Sequence, residues 1–199
     1  MLHASCVFDA RRQCLIILVA THNAGKSTTA LRLTRAGYTF LADGMAVLRL
    51  RQPPTGAQRE PAGGPFVVGG YPIGEVKLRD DVLAWFPEYA GAAVREQQKT
   101  IVNLRAVHPD RLAESLIMPA SIQVCFVARH AQPRTRIAPI DVTEALPILA
   151  ANTVYWNDAS QLEHNTAALH HLLHTANLHR LHLGSDPDDI IAAIDQLTN

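Results

Sequence analysis

An apolar run, Cys14 to Val19, passes without a break into Ala20-Thr21-His22-Asn23-Ala24-Gly25-Lys26-Ser27, and an amphipathic stretch from Thr28 to Ala36 follows. No other feature constrains the fold so tightly. Ala or Gly, four residues and then Gly-Lys-Ser is the relaxed Walker A pattern, which needs a buried strand before the loop and a helix after it. Both are written here. Cys14 to Val19 reads as a strand, and Ala30, Leu31 and Leu33 supply an apolar helix face before a stop signal at Gly37. In such a loop successive backbone N–H groups and a helix N-terminus converge on phosphate oxygens. Ala20, Thr21, His22, Asn23, Ala24, Gly25, Lys26, Ser27 and Thr28 are therefore the expected phosphate-binding residues. Lys26 is expected to reach the outer phosphates, and Ser27 to offer its hydroxyl to Mg²⁺.

The strand before the loop has a partner close at hand. Ala4 to Phe8 is strand-like and is separated from Cys14 only by the polar turn Asp9 to Gln13. So short a connection allows only an antiparallel pair, because a parallel crossover takes a dozen residues or more. After the helix, Tyr38 to Ala42 reads as a strand ending at Asp43-Gly44, and Ala46 to Arg51 as another. Residues 52–65 hold so many Pro and Gly that no regular element fits, which predicts a mobile loop. Phe66 to Gly70 and Pro72 to Leu78 are short apolar pieces, and Arg79 to Tyr89 is a helix candidate interrupted at Pro87. Gly91 to Gln98 reads as exposed and polar, and Thr100 to Leu104 and Ser121 to Ala128 as strands around a Pro-bounded segment, 109–119. His130 to Pro139 reads as a basic loop. Asp141 and Glu144 form a capping box into a short helix that Pro147 should kink or shorten. Ala159 to Ala176 is a longer helix, Arg180 to Leu183 a short strand, and Asp186-Pro187 the start of a last helix. The pattern predicts a mixed α/β chain, one domain over 1–199, with a core over 1–50 and a helical part over 141–199.

Composition narrows the partners. The 199 residues include 18 basic and 18 acidic side chains, so net charge marks the chain for neither nucleic acid nor an anionic membrane. The longest apolar run falls far short of the ~18 residues that a membrane helix needs, and no basic-then-apolar leader opens the chain. Three cysteines, an odd number, sit largely in apolar runs and read as reduced buried thiols. The expectation is a cytoplasmic protein.

Four phrases carry a likeness: His3-Ala4-Ser5, the loop Thr21 to Thr28, Arg35-Ala36-Gly37-Tyr38-Thr39-Phe40-Leu41-Ala42-Asp43, and Gly74-Glu75-Val76-Lys77-Leu78-Arg79. Together they resemble the HPr kinase/phosphorylase family, most of all the small HPr-kinase-like proteins found beside lasso-peptide and related biosynthetic genes. The tail phrase Leu178 to Pro187 is similar to the closing strand and helix of those small kinases. The resemblance implies an HPr-kinase/PEP-carboxykinase type of fold, with a mixed sheet, an antiparallel hairpin leading into the Walker A loop, and helices toward the C-terminus. It implies ATP and Mg²⁺ as cofactors, transfer to a serine of a peptide or protein, and self-assembly of the kind seen in the hexameric family members. By the same likeness Lys26, Asp43 and His3 are catalytic, with His3 at the site's edge, and Ser27, Asp43 and Glu75 surround the metal.

One departure from the family bears on the chemistry. Where the family shows two consecutive aspartates, this chain has Asp43-Gly44. Either Asp43 serves two purposes, or Glu75 or His3 substitutes, or the protein binds nucleotide without efficient transfer. A nucleotide-binding regulatory module and a small-molecule kinase thus stand beside the serine kinase as alternatives. Among other residues, Arg129, Arg134 and Arg136 read as solvated loop arginines, and Lys77 occupies a position where the family has Arg. His170 and His174, one helical turn apart, lack the further ligands of a zinc site. Trp85 and Trp156 read as packing residues.

Overall fold

The computed structural model describes residues 1–51, 64–96, 99–129, 131–154, 159–186 and 188–198. Trp156, and the predicted loop 52–65 apart from its last two residues, lie outside the described residues. The chain opens with β1 (Ala4–Asp9) and β2 (Cys14–Val19), followed by α1 (Lys26–Arg35), β3 (Thr39–Asp43), β4 (Met45–Leu50), β5 (Phe66–Tyr71) and β6 (Glu75–Leu78). A short helix α2 (Asp80–Leu83) leads to β7 (Ala93–Glu96), β8 (Lys99–Asn103), β9 (Ser121–Arg129) and β10 (Arg136–Pro139). Then come α3 (Val142–Ala151), α4 (Ala159–Thr175), β11 (Asn177–Leu183) and α5 (Asp189–Thr198).

Among the described residues six strands form one mixed sheet in the order β10-β11-β9-β2-β1-β3. β1 runs antiparallel to both β2 and β3, while β2, β9 and β11 are mutually parallel neighbours. Every residue of β2 is buried, and its alternation explains why: Ile16 and Leu18 face one apolar layer, and Leu15, Ile17 and Val19 face the other. The first layer holds Ala30, Leu31 and Leu33 of α1 with Ile190 and Ile194 of α5. The second holds Ala145 and Leu149 of α3 with Leu172 and Leu173 of α4. Because β2 is parallel to β9 and β11, their C-terminal ends, and that of β3, lie along one edge of the sheet, where ligands of α/β folds gather.

Two smaller sheets stand apart from the large one. β4 pairs with β5, and β8 lies between β6 and β7. Several expectations change here. The helix predicted over 79–89 is only α2 and a separate 3-10 turn, Pro87–Ala92. Pro87 bars Phe86 from helical backbone, and Phe86 sits at φ −133°, ψ 65°. The polar stretch 91–98 contains β7, an edge strand that needs no apolar face, and the basic loop 130–139 ends in β10, another edge strand, which pairs with β11. The short strand expected at 180–183 is longer, as β11 over Asn177–Leu183, and lies inside the main sheet. α3 continues past Pro147 to Ala151, with Asp141 capping its N-terminus by accepting from the Glu144 N–H at 2.9 Å. No helix among the described residues is long and apolar enough to cross a membrane.

Candidate functional site

The loop between β2 and α1 is shaped by two left-handed residues. Asn23 has φ 63° and Gly25 φ 108°, so the backbone folds sharply before the helix begins. Gly25 is the N-cap and brings no side-chain cap. The opening N–H groups of α1 therefore have no intrahelical acceptor, and they point at the cavity this loop encloses. Leu183 of β11 packs close to this glycine: a Cβ at Gly25 would lie 2.7 Å from Leu183 Cδ1, so the leucine tip would have to shift.

The cavity, about 200 Å³, is lined by His3, His22 to Thr28, Asp43, Gly44, Lys77, Leu78, Arg79, Val82, Lys99 and Arg129. That is smaller than the roughly 300–1,000 Å³ of a pocket that swallows a whole small molecule. It suits the phosphate end of a nucleotide better than its base. Among the described residues five cations and a single carboxylate face it. A pocket of that charge selects anions.

Lys26 is 8% exposed. Its ammonium donates to the Ala20 carbonyl at 2.8 Å and the Thr21 carbonyl at 3.2 Å. Burial pushes this lysine below its ordinary pKa and nearby Lys99 adds to the effect, while Asp43 pulls the other way. Ala20 and Thr21 thus serve through their carbonyls and do not line the cavity.

Asp43, at the end of β3, is held by three donors. The Ser5 and Ser27 hydroxyls donate to Oδ1 at 2.5 and 2.8 Å, and the Lys77 N–H to Oδ2 at 3.3 Å. The β1–β3 register brings Ser5 opposite Asp43, after an irregularity between Cys6 and Val7. Ser27 Oγ and the Asp43 carboxylate are hard oxygen donors close together. That pair fits Mg²⁺, which takes one or two carboxylates and fills its remaining positions with phosphate oxygens and water.

His3 lies just before β1, its backbone N–H bonded to the Asn152 carbonyl at 2.7 Å. Its ring is 5.1 Å from that of His22. Burial, then Lys26 and His22, lower its pKa, against the opposing effects of Asp43 and Asn152. The net effect at the cavity edge favours the neutral imidazole.

The structure brings His3, Lys26, Ser27 and Asp43 together with residues 22–28, but not Glu75. Glu75 is exposed on β6, on the same strand face as Lys77, and does not line the cavity. Arg129, expected in solvent, is exposed as expected, at the end of β9, and also lines the cavity. Sequence reasoning missed Ser5, Arg79 and Lys99, whose positions depend on strand registers between distant segments. His170 and His174 have rings 4.4 Å apart, and among the described residues no cluster of three or more His, Cys, Asp or Glu is placed to hold a metal ion.

No family model matches this chain, and no curated protein matches it. The fold is similar to the solved Hpr(Ser) kinase/phosphatase from Coxiella burnetii, at 13% identity over 86% of this chain and 90% of that one, with a TM-score of 0.39. At that distance the likeness carries no weight for the chemistry of the site.

Proposed function

We propose that this chain is an ATP- and Mg²⁺-dependent kinase that transfers the γ-phosphate to a serine hydroxyl of a peptide or protein. One observation carries the reading: a Walker A lysine and serine meet a strand-end aspartate in a small cationic cavity. The serine acceptor comes from the resemblance of the His3, Walker, Asp43 and Glu75–Arg79 phrases to the HPr kinase family. Phosphoryl transfer asks little covalent chemistry of a protein; it needs cations on the phosphates, alignment, and a group to take the acceptor's proton.

Each requirement has a residue. The N–H groups at the start of α1 bind phosphate oxygens, and Lys26 swings from the Ala20 and Thr21 carbonyls onto the outer phosphates. Ser27 and Asp43 Oδ1 would hold Mg²⁺, which when bound would offset negative charge on the phosphates. Among the described residues Asp43 Oδ2 has only the long contact from the Lys77 N–H, and we assign it to receive the serine proton. Neutral His3 accepts a hydrogen bond at the same edge and helps orient the hydroxyl. Asp43 thus fills both roles that two consecutive aspartates divide in the family.

The test uses purified protein, Mg-ATP and serine-bearing peptides, including any encoded beside the gene. Calorimetry reads nucleotide binding and mass spectrometry reads phosphoserine. Lys26→Ala is expected to abolish Mg-ATP binding, and Asp43→Asn to slow transfer by at least about 10²-fold, as when one electrostatic stabiliser is lost. Unchanged binding in Lys26→Ala refutes the phosphate-loop role. Gly44 in the second aspartate's place favours one other reading, a module that binds nucleotide without transfer. Tight Mg-ATP binding with no phosphorylated peptide from the wild type would select it.

A further inference from the structure

The Walker loop accounts for only one of the cations around the cavity. Two others are compensated by the protein: Lys77 pairs with Glu96 at 3.3 Å, and Arg79 with Asp81 at 2.7 Å. Lys99 is placed differently. It opens β8 directly across from Glu96 in the β7–β8 register, yet Lys77 has taken that carboxylate. Among the described residues Lys99 has no ion-pair partner, although it lines the same cavity as Lys26 and its charge is felt there. Its position is fixed from behind. The next residue, Thr100, is buried, and its hydroxyl donates to Asp80 Oδ1 at 2.9 Å, tying the start of β8 to α2.

Two ammonium groups sharing a small cavity repel each other, and an anion between them relieves the repulsion. Lys26, Lys99 and Arg129 against Asp43 leave the site net positive. A magnesium-bound triphosphate has negative charge left over to match it. The loop N–H groups and Lys26 hold the donor's phosphates from the Walker side. A cation arriving from another sheet meets the end of the chain of phosphates that points away from the loop.

Resting on the kinase reading above, we propose that Lys99 is a second cation on the transferring phosphoryl group, supplied by the β6–β8–β7 sheet. In the step, the acceptor oxygen bonds to the γ-phosphorus, and the bond from that phosphorus to the β–γ bridging oxygen breaks. The electron pair leaves with ADP, and the serine proton passes to Asp43. Lys99 exchanges no proton; it stabilises charge on the equatorial oxygens as they move.

Lys99→Met and Lys99→Arg test this with Mg-ATP, Mg-ADP and the peptide that the wild type phosphorylates. In Lys99→Met the single-turnover rate should fall by about 10²- to 10³-fold. The preference for ATP over ADP in calorimetry should fall by about tenfold, the scale of one lost charged hydrogen bond. KM for the peptide should hold, and Lys99→Arg should recover part of both losses. A Lys99→Met variant that matches an active wild type in rate and in ATP-to-ADP preference overturns the assignment and leaves the kinase reading standing. An effect confined to peptide KM overturns it too, making Lys99 an acceptor contact. A wild type that binds no Mg-ATP removes the kinase reading, and this inference with it.

Discussion

Gly44 shows how much one residue's backbone can decide. It follows Asp43 directly, lines the cavity and has φ 114°, a region that side chains with a Cβ rarely enter. Space is not the obstacle, since the nearest atom to an added Cβ is the Tyr71 carbonyl oxygen at 3.9 Å. Gly44→Asp is therefore expected to lower stability by about 1–3 kcal/mol through backbone strain. On the proposed mechanism it should bring no gain in transfer, because there Asp43 Oδ2 already takes the acceptor's proton. Denaturant melts and single-turnover rates check the two halves; a strongly activated variant would show that the natural chain lacks its base. The sequence made the Walker residues legible because their meaning is local: strand, loop and helix are contiguous. Ser5 carried no such signal. Its hydroxyl matters only because the register of β1 on β3 sets it against Asp43.

Elements were easiest to read where both faces are buried, as in β2, whose apolar run is continuous, and in β9, whose run is interrupted only by Gln123 between Ile122 and Ala128. They were hardest to read at sheet edges. β7 exposes Val94 and two charged residues, and β10 ends in a proline, so neither carries the apolar alternation by which strands are recognised. The smaller β4–β5 sheet has its own constraint. A Cβ on Gly70 would fall 1.9 Å from the Leu41 carbonyl oxygen and 2.8 Å from Ala42 Cβ, so β5 passes against the backbone of β3 just before Asp43. Backbone cannot step aside as a side-chain tip can. Gly70→Ala should cost about 1–3 kcal/mol or more, the range for overpacking, and should weaken Mg-ATP binding by displacing Asp43. Equal melting midpoints for variant and wild type would contradict that close approach.

At the scale of the whole molecule, acid should loosen the fold before it touches the carboxylates. Burial lowers the pKa of His179, and burial with Lys26 and His22 lowers that of His3. A histidine whose folded pKa lies below its unfolded value of about 6.5 binds fewer protons when folded. Its contribution is present above that value and is lost as pH falls through it. Both groups are only partly buried, which keeps the effect modest. Asp9 and Asp141, with lowered pKa values, lose theirs only in stronger acid. The melting midpoint should drop between pH 7.5 and 5.5, and drop less in the double variant His3→Asn, His179→Asn; a midpoint that is flat or rises on acidification would rule this out. A different consequence follows from the contact between Leu183 and Gly25. The turn that shapes the phosphate loop is braced by a side chain 158 positions further along, counting from 25 to 183. Ribosomes deliver the N-terminal part of a chain first. During synthesis the loop therefore exists for most of that time without the strand it leans on, and its turn is braced only once Leu183 has been made and has left the ribosome.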